Sequence, residues 1–306
     1  MLRAAAKNHE SVAAIVDPGD YAGVLEELRT TNSVSATTRL ELAKKVFAHT
    51  ARYDGMIANY LTALDGAQER GVFPDVLTQQ WVKVQQMRYG ENPHQQAAFY
   101  RERVVAPGLL AGYEQLQGKE LSYNNIADAD AAWECVRSFA ECACVIIKHA
   151  NPCGVAIAAT LKQAYIKALR CDPESAFGGV IALNRSLDAD AARAIVEIFT
   201  EVIIAPDASD EAKAIIAGKK NLRLLLAGGL SDPKASGLTF RSLSGGFLVQ
   251  SRDSGVAEAD LKIVTKRTPT APEMADMIFA FTVAKHVKSN AIVYAKAGAT
   301  AGIGAG

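Results

Sequence analysis

The sequence predicts an α/β protein in two parts, and two observations lead there. Short β-branched apolar runs of strand length recur between longer stretches with helical spacing. The first part holds one such run among helices, whereas the second part holds many. A chain of 306 residues is long enough for two domains with sizeable cores. Its 49% hydrophobic and 22% charged residues place it among ordinary globular proteins.

In the first part, Leu2 to His9 reads as the end of a helix. Val12 to Val16 reads as a short strand closed by the turn Asp17-Pro18-Gly19-Asp20. Tyr21 to Thr30 has helical spacing. A longer helix is expected from about Ala36 to Leu64, with Leu40, Leu42, Ala43, Val46, Phe47 and Ala51 on one apolar stripe. A single strand among helices has no sheet to join, so this part reads as the back end of a larger α/β domain. Residues 65–86 read as a connection, punctuated by Asp65-Gly66, Gly71 and Pro74. The expected boundary lies near Gln79, giving domains 1–79 and 80–306.

The second part opens on a turn, Met87 to Gln95, where Arg88 offers a bidentate fork for a phosphate and Tyr89 a flat face for a base. A helix is expected from about Asn125 toward Phe139, with Asn124 and Asn125 at its N-cap. Val145 to Ile147 reads as a buried strand that stops at Lys148-His149. Asn151-Pro152 and Gly154 are expected to force a turn there. A histidine at such a strand end can exchange a proton near neutral pH, and a lysine can supply a fixed charge or a proton. The pair serves equally well as a polar end to a core strand.

Apolar character resumes at Val155 to Ala158, and a helix is expected over about Leu161 to Arg170. Asp172 to Gly179 then leads into the strand Val180 to Leu183, with Gly178-Gly179 permitting a close backbone approach or a plain turn. Ala191 to Thr200 reads as helix, Val202 to Ile204 as strand, and Glu201 falls between them. Leu222 to Leu226 reads as a strand, and Phe240 to Asp253 as a hairpin around Ser244-Gly245-Gly246. Thr270-Ala271-Pro272-Glu273 is a capping-box pattern, so a helix starts at about Ala271 and runs toward Val287. Ser289-Asn290 ends it, and Ala291 to Ala295 is a strand. The last nine residues, from Gly298, read as a Gly-rich loop, which binds phosphate only when a helix follows.

Charge and cysteine content narrow the function. Lys+Arg and Asp+Glu both number 33, which argues against a general nucleic-acid or membrane-surface binder. No apolar run has the length of a bilayer span, and the N-terminal residues lack the apolar core of a signal peptide. Five cysteines with no CxxC pair make disulfides and a structural metal unexpected, and fit a reducing cytoplasm.

Five motifs stand in order along the chain: RAAAKNH with DPGDY and FAHTARYDGMIANYL, then RYGENPHQ, SYNN, KHANPCG and SAFGG. Together they resemble the bifunctional family of AICAR formyltransferase/IMP cyclohydrolase. The resemblance implies a first domain that is the closing part of a doubly wound, methylglyoxal-synthase-like cyclohydrolase domain. The second is then a cytidine-deaminase-like formyltransferase domain, incomplete at its C-terminus. It implies 10-formyltetrahydrofolate as co-substrate, no metal, AICAR as nucleotide substrate, a cytoplasmic setting and a homodimer. Residue by residue, it implies catalytic Lys148, His149 and Asn290. It implies nucleotide contacts at Arg88, Tyr89, Asn125, Phe177 and Gly178, and a folate contact at Glu201. Lys7 matches a cyclohydrolase lysine whose partners lie upstream of Met1.

Two rival classes compete with this reading. A zinc-dependent base deaminase needs H-x-E and P-C-x-x-C. The chain has His149-Ala150-Asn151, and Pro152-Cys153 without a second cysteine three residues on. A nucleotide-binding or dimerising fragment without catalysis is the other alternative.

Overall fold

The computed structural model describes residues 1–255 and 261–306, in two compact units, Met1–Trp81 and Val82–Gly306. The first unit contains helices α1 (Leu2–Lys7), α2 (Tyr21–Thr31) and α3 (Ala36–Leu61). Ser35 starts α3, its hydroxyl accepting from the Thr38 amide at 3.2 Å. Ala6, Ala14, Ala43 and Val46 close a small core between α1, α3 and the segment after α1. Val12 to Val16 is not a strand. A strand needs a ladder partner, and among the described residues no strand pairs with it.

In the second unit, among the described residues, eight strands form one mixed sheet in the order β11-β12-β5-β4-β6-β7-β8-β3. At its centre lie β4 (Ala143–Lys148), β5 (Asn151–Ile157), β6 (Gly179–Leu183) and β7 (Thr200–Ala205). The flanks are β3 (Glu114–Gln117), β8 (Arg223–Leu226), β11 (Ala291–Lys296) and β12 (Ala299–Ala305). The strands β1 (Val82–Met87) with β2 (Ala97–Arg101), and β9 (Leu238–Leu243) with β10 (Gly246–Ser251), form separate two-stranded ribbons.

Successive side chains of the central strands point to opposite faces, and both faces are covered. Val145 and Ile147 of β4 join the core beneath α4 (Tyr123–Val136) and α9 (Ala271–Ala284). Cys144 and Ile146 join the core on the other side, with α5 (Leu161–Leu169), α7 (Ala189–Ile195) and α8 (Asp210–Ala217). This two-sided burial explains why β4 reads as a continuous apolar run rather than an alternating one. Trp133 of α4 is fully buried and its indole N–H donates to the Gly108 carbonyl at 2.8 Å.

Several elements differ from the sequence expectation. The connection expected over residues 65–86 already holds β1, whose pairing with β2 begins at Val82. Its period-2 alternation, Val82 and Val84 against polar neighbours, is too short to stand out beside the preceding loop. The expected Gly-rich loop is β12. Its Gly302 and Gly304 stand opposite Tyr294 and Ile292 of β11, so the small residues face large ones across the ladder. Helix α7 ends at Ile195, and Glu201 lies within β7 rather than between elements.

The turn after β4 also differs. Asn151, Pro152 and Gly154 are part of β5, and the reversal consists of His149 and Ala150 alone. Gly154 answers to packing instead. A β-carbon there would fall 2.0 Å from the Ala168 carbonyl oxygen of α5. Gly154→Ala is expected to cost about 3 kcal/mol through forced separation of β5 and α5. Urea unfolding measures it, and a loss under about 0.5 kcal/mol would show that the contact is slack.

Candidate active site

The strand directions bring a set of polar residues to one edge of the sheet. Strand β4 ends at Lys148, and antiparallel β5 starts beside it at Asn151. Strand β6 is antiparallel to β4 and so starts at the same edge, just after Gly178. Strand β7 is parallel to β6 and starts there with Thr200 and Glu201. Strand β11 is antiparallel to β12, which is antiparallel to β5, so Asn290, just before β11, belongs to this edge too.

The tightest feature of the edge is the two-residue loop between Lys148 and Asn151. His149 and Ala150 both have positive φ, 52° and 58°. That left-handed pair is the backbone of a type I′ hairpin turn, normally supplied by Asn-Gly or Gly-Gly. For side chains with a Cβ it costs about 1–2 kcal/mol per residue, which the surroundings must offset. Two contacts outside the hairpin hold it. The Ala150 amide donates to Asp128 Oδ1 of α4 at 2.7 Å. The Lys288 amide, two residues before Asn290, donates to Asn151 Oδ1 at 3.3 Å.

Lys148 is fixed from the next strand. Its Nζ donates to the Gly178 carbonyl at 2.8 Å. Gly178 itself has φ +66°, and its amide donates to the Phe199 carbonyl at 2.7 Å. The rings of Phe177 and Phe199 pack with centroids 5.4 Å apart, and Phe177 remains exposed. An ammonium carries three donors, so one bond to Gly178 leaves two for a ligand.

Asn125 and Glu201 meet directly. Asn125 Nδ2 donates to Glu201 Oε2 at 2.7 Å, although Asn125 is buried. Asn125 is not the N-cap of α4. Ser122 holds that position, and Asn125 is the third residue of a reciprocal capping box. Its amide and Oδ1 are used there, which orients Nδ2 toward β7.

The structure thus brings together Lys148 with Gly178 and Asn125 with Glu201, and it puts His149 and Asn290 on the same edge. It does not join Arg88 and Tyr89 to them by any hydrogen bond among the described residues. These two follow β1 outside the large sheet, with the exposed Arg88 guanidinium 5.9 Å from the Tyr89 ring centre. Lys7 ends α1 in the first unit, exposed.

Sequence patterns alone do not single out Asp128 or Phe199, and they mark Asn151 only as a turn former. Asp128 does carry a positional signal, since it lies three residues after Asn125 and so on the same helix face. Burial pushes the Asp128 carboxyl above its usual range, while the Ala150 amide and the nearby His149 and Lys148 pull it back.

The family of AICARFT/IMPCHase bienzymes matches residues 5–306. The chain belongs to the AICARFT/IMPCHase bienzyme family. It is also similar to the bifunctional purine biosynthesis protein PurH of Polynucleobacter necessarius subsp. necessarius (strain STIR1), with 57% identity over 319 residues. That match covers all of this chain and 60% of the relative, so the chain spans about three fifths of that relative's length. The mixed α/β fold accords with membership of the bienzyme family. Among the described residues, no three His, Cys, Asp or Glu side chains gather as metal ligands, and no helix is long and apolar enough to cross a membrane.

The Lys148–Gly178 contact generates a direct test. A β-carbon on Gly178 would lie 3.2 Å from Lys148 Nζ and 3.2 Å from the Phe199 ring, at a left-handed backbone position. Gly178→Ala is expected to lower stability by about 1–2 kcal/mol, from the φ penalty and the displaced ammonium together. Unchanged urea unfolding would show that this edge relaxes freely.

Proposed function

We propose that this sheet edge transfers a formyl group from 10-formyltetrahydrofolate to the 5-amino group of AICAR, a step of purine biosynthesis. The observation that carries the reading is Lys148 and His149 held at a braced turn, with Lys148 bonded to Gly178 and the Asn125–Glu201 pair on the same edge of the sheet. The family membership and the similarity to PurH support the same chemistry.

The acceptor amine is a weak nucleophile, because its lone pair is delocalised into the ring and carboxamide. As its nitrogen attacks the formyl carbon, a base must take a proton, and His149 is the candidate. The carbonyl oxygen then carries negative charge, for which Lys148 or Asn290 supplies a donor. Collapse of the tetrahedral intermediate breaks the bond to the folate nitrogen, and that nitrogen needs a proton, for which Lys148 is again the candidate. Arg88, Tyr89, Phe177 and Gly178 are assigned to the nucleotide on this reading, with Asn125 on its carboxamide and Glu201 facing the pterin. Lys7 is assigned to the cyclohydrolase activity of the bifunctional protein. The protein is proposed to act in the cytoplasm as a homodimer.

The test is formyl transfer with binding measured separately. His149→Ala is expected to lower kcat by about 10²–10⁴-fold, the usual contribution of a placed general base, with AICAR affinity changed far less. Lys148→Arg separates two roles, because a guanidinium keeps the charge but does not readily give up a proton. Partial activity in Lys148→Arg would assign the lysine to the oxyanion, and loss equal to Lys148→Ala would assign it to the leaving nitrogen. Near-normal kcat in His149→Ala would return the pair to a polar strand end.

A further inference from the structure

We propose that Asp128 is a positioning residue that holds the left-handed His149–Ala150 turn and thereby sets where the His149 imidazole points. The inference rests on the formyl-transfer reading for its functional consequence, but not for its structural content.

Three observations carry it. First, Asp128 Oδ1 accepts the Ala150 amide at 2.7 Å, a bond that reaches from α4 across to the sheet edge. Second, the turn it holds has a left-handed backbone at two residues that both carry a Cβ. Such a turn does not keep its shape from local preference, so an outside acceptor has something to do. Third, α4 does not need Asp128 for its own start. Ser122 and Asn125 already form a complete capping box, six and three residues earlier. Asp128 lies deeper in the helix, where a carboxylate at a half-buried position calls for a partner.

The groups that face this carboxylate agree with the role. The Ala150 and His149 amides and the positive charge of Lys148 favour its anionic form, against the cost of burial. Every one of them belongs to the turn or to the strand end that enters it. Asp128 therefore joins the α4 face that carries Asn125 to the hairpin that carries His149. Asn151, which accepts from the Lys288 amide, ties the hairpin's other side to the segment bearing Asn290.

Amide hydrogen exchange on this chain, followed by NMR, tests the proposal without requiring catalysis. In Asp128→Ala the Ala150 amide is expected to exchange at least about ten-fold faster, with the amides of β4 and β6 still protected. Asp128→Asn retains an acceptor oxygen and is expected to keep the Ala150 amide within about threefold of wild type. In a formyl-transfer assay, Asp128→Ala should lower kcat by about 10²-fold with the KM for AICAR nearly unchanged, and Asp128→Asn should recover most of it. Unchanged Ala150 exchange in Asp128→Ala would overturn the proposal. So would loss of protection throughout the sheet, because Asp128 would then be a residue of general stability. So would an Asp128→Asn variant as impaired as Asp128→Ala. If the wild-type chain transfers no formyl group while the exchange results hold, the formyl-transfer reading fails and the positioning role stands.

Discussion

The hairpin between β4 and β5 is the constraint on which the site depends. Lys148 and Asn151 pair across it, so only His149 and Ala150 are left to reverse the chain. Between strands of normal twist, two residues do that most readily in a primed turn, here with a left-handed backbone at both. The cost is met from outside, by the bond from Ala150 to Asp128 and by the core beneath β4. A two-residue loop has little slack, so the residue just before it and the residue at its start are held with it. Lys148 and His149 are those residues.

Around the hairpin, the sheet topology does the gathering. Antiparallel β5 and β6 flank β4, and parallel β7 follows β6, so the ends and starts of four adjacent strands converge on one edge. Glycine lets the neighbours come close. Gly178 takes a left-handed φ and offers its carbonyl to Lys148, and Gly154 lets α5 press on β5. The Asn125–Glu201 bond then ties α4 to β7, the strand beyond β6. The result is a row of donors and acceptors whose positions are set by buried structure, which is what electrostatic and acid–base catalysis requires.

Much of this is legible in the sequence, and the failures have physical reasons. The run from Val145 to Ile147 announces a strand because both of its faces are buried, and Thr270 to Glu273 announces α9 because the box uses only local bonds. Val12 to Val16 has the residues of a strand, but strand formation depends on a partner that local sequence does not contain. The reversal was expected at Asn151-Pro152 and Gly154, the usual turn formers, whereas it lies at His149-Ala150, whose left-handed backbone is sustained by Asp128. That tertiary bond spans 22 residues and leaves no local mark. β12 is obscured for a similar reason, because its glycines make sense only opposite Tyr294 and Ile292. The sequence resemblance pointed to Lys148, His149 and Asn290, and the fold adds the physical link between them: all three belong to one sheet edge.

The central claim is that this edge is where the nucleotide binds, and titration of the isotopically labelled chain with AICAR tests it most directly. Amide shifts are expected to concentrate at His149 to Asn151, Gly178, Asn125 and Glu201. Glu141 and Arg185, at the opposite ends of β4 and β6, should remain unmoved. Shifts that cluster at Glu141 and Arg185, with the hairpin amides unchanged, would contradict the account.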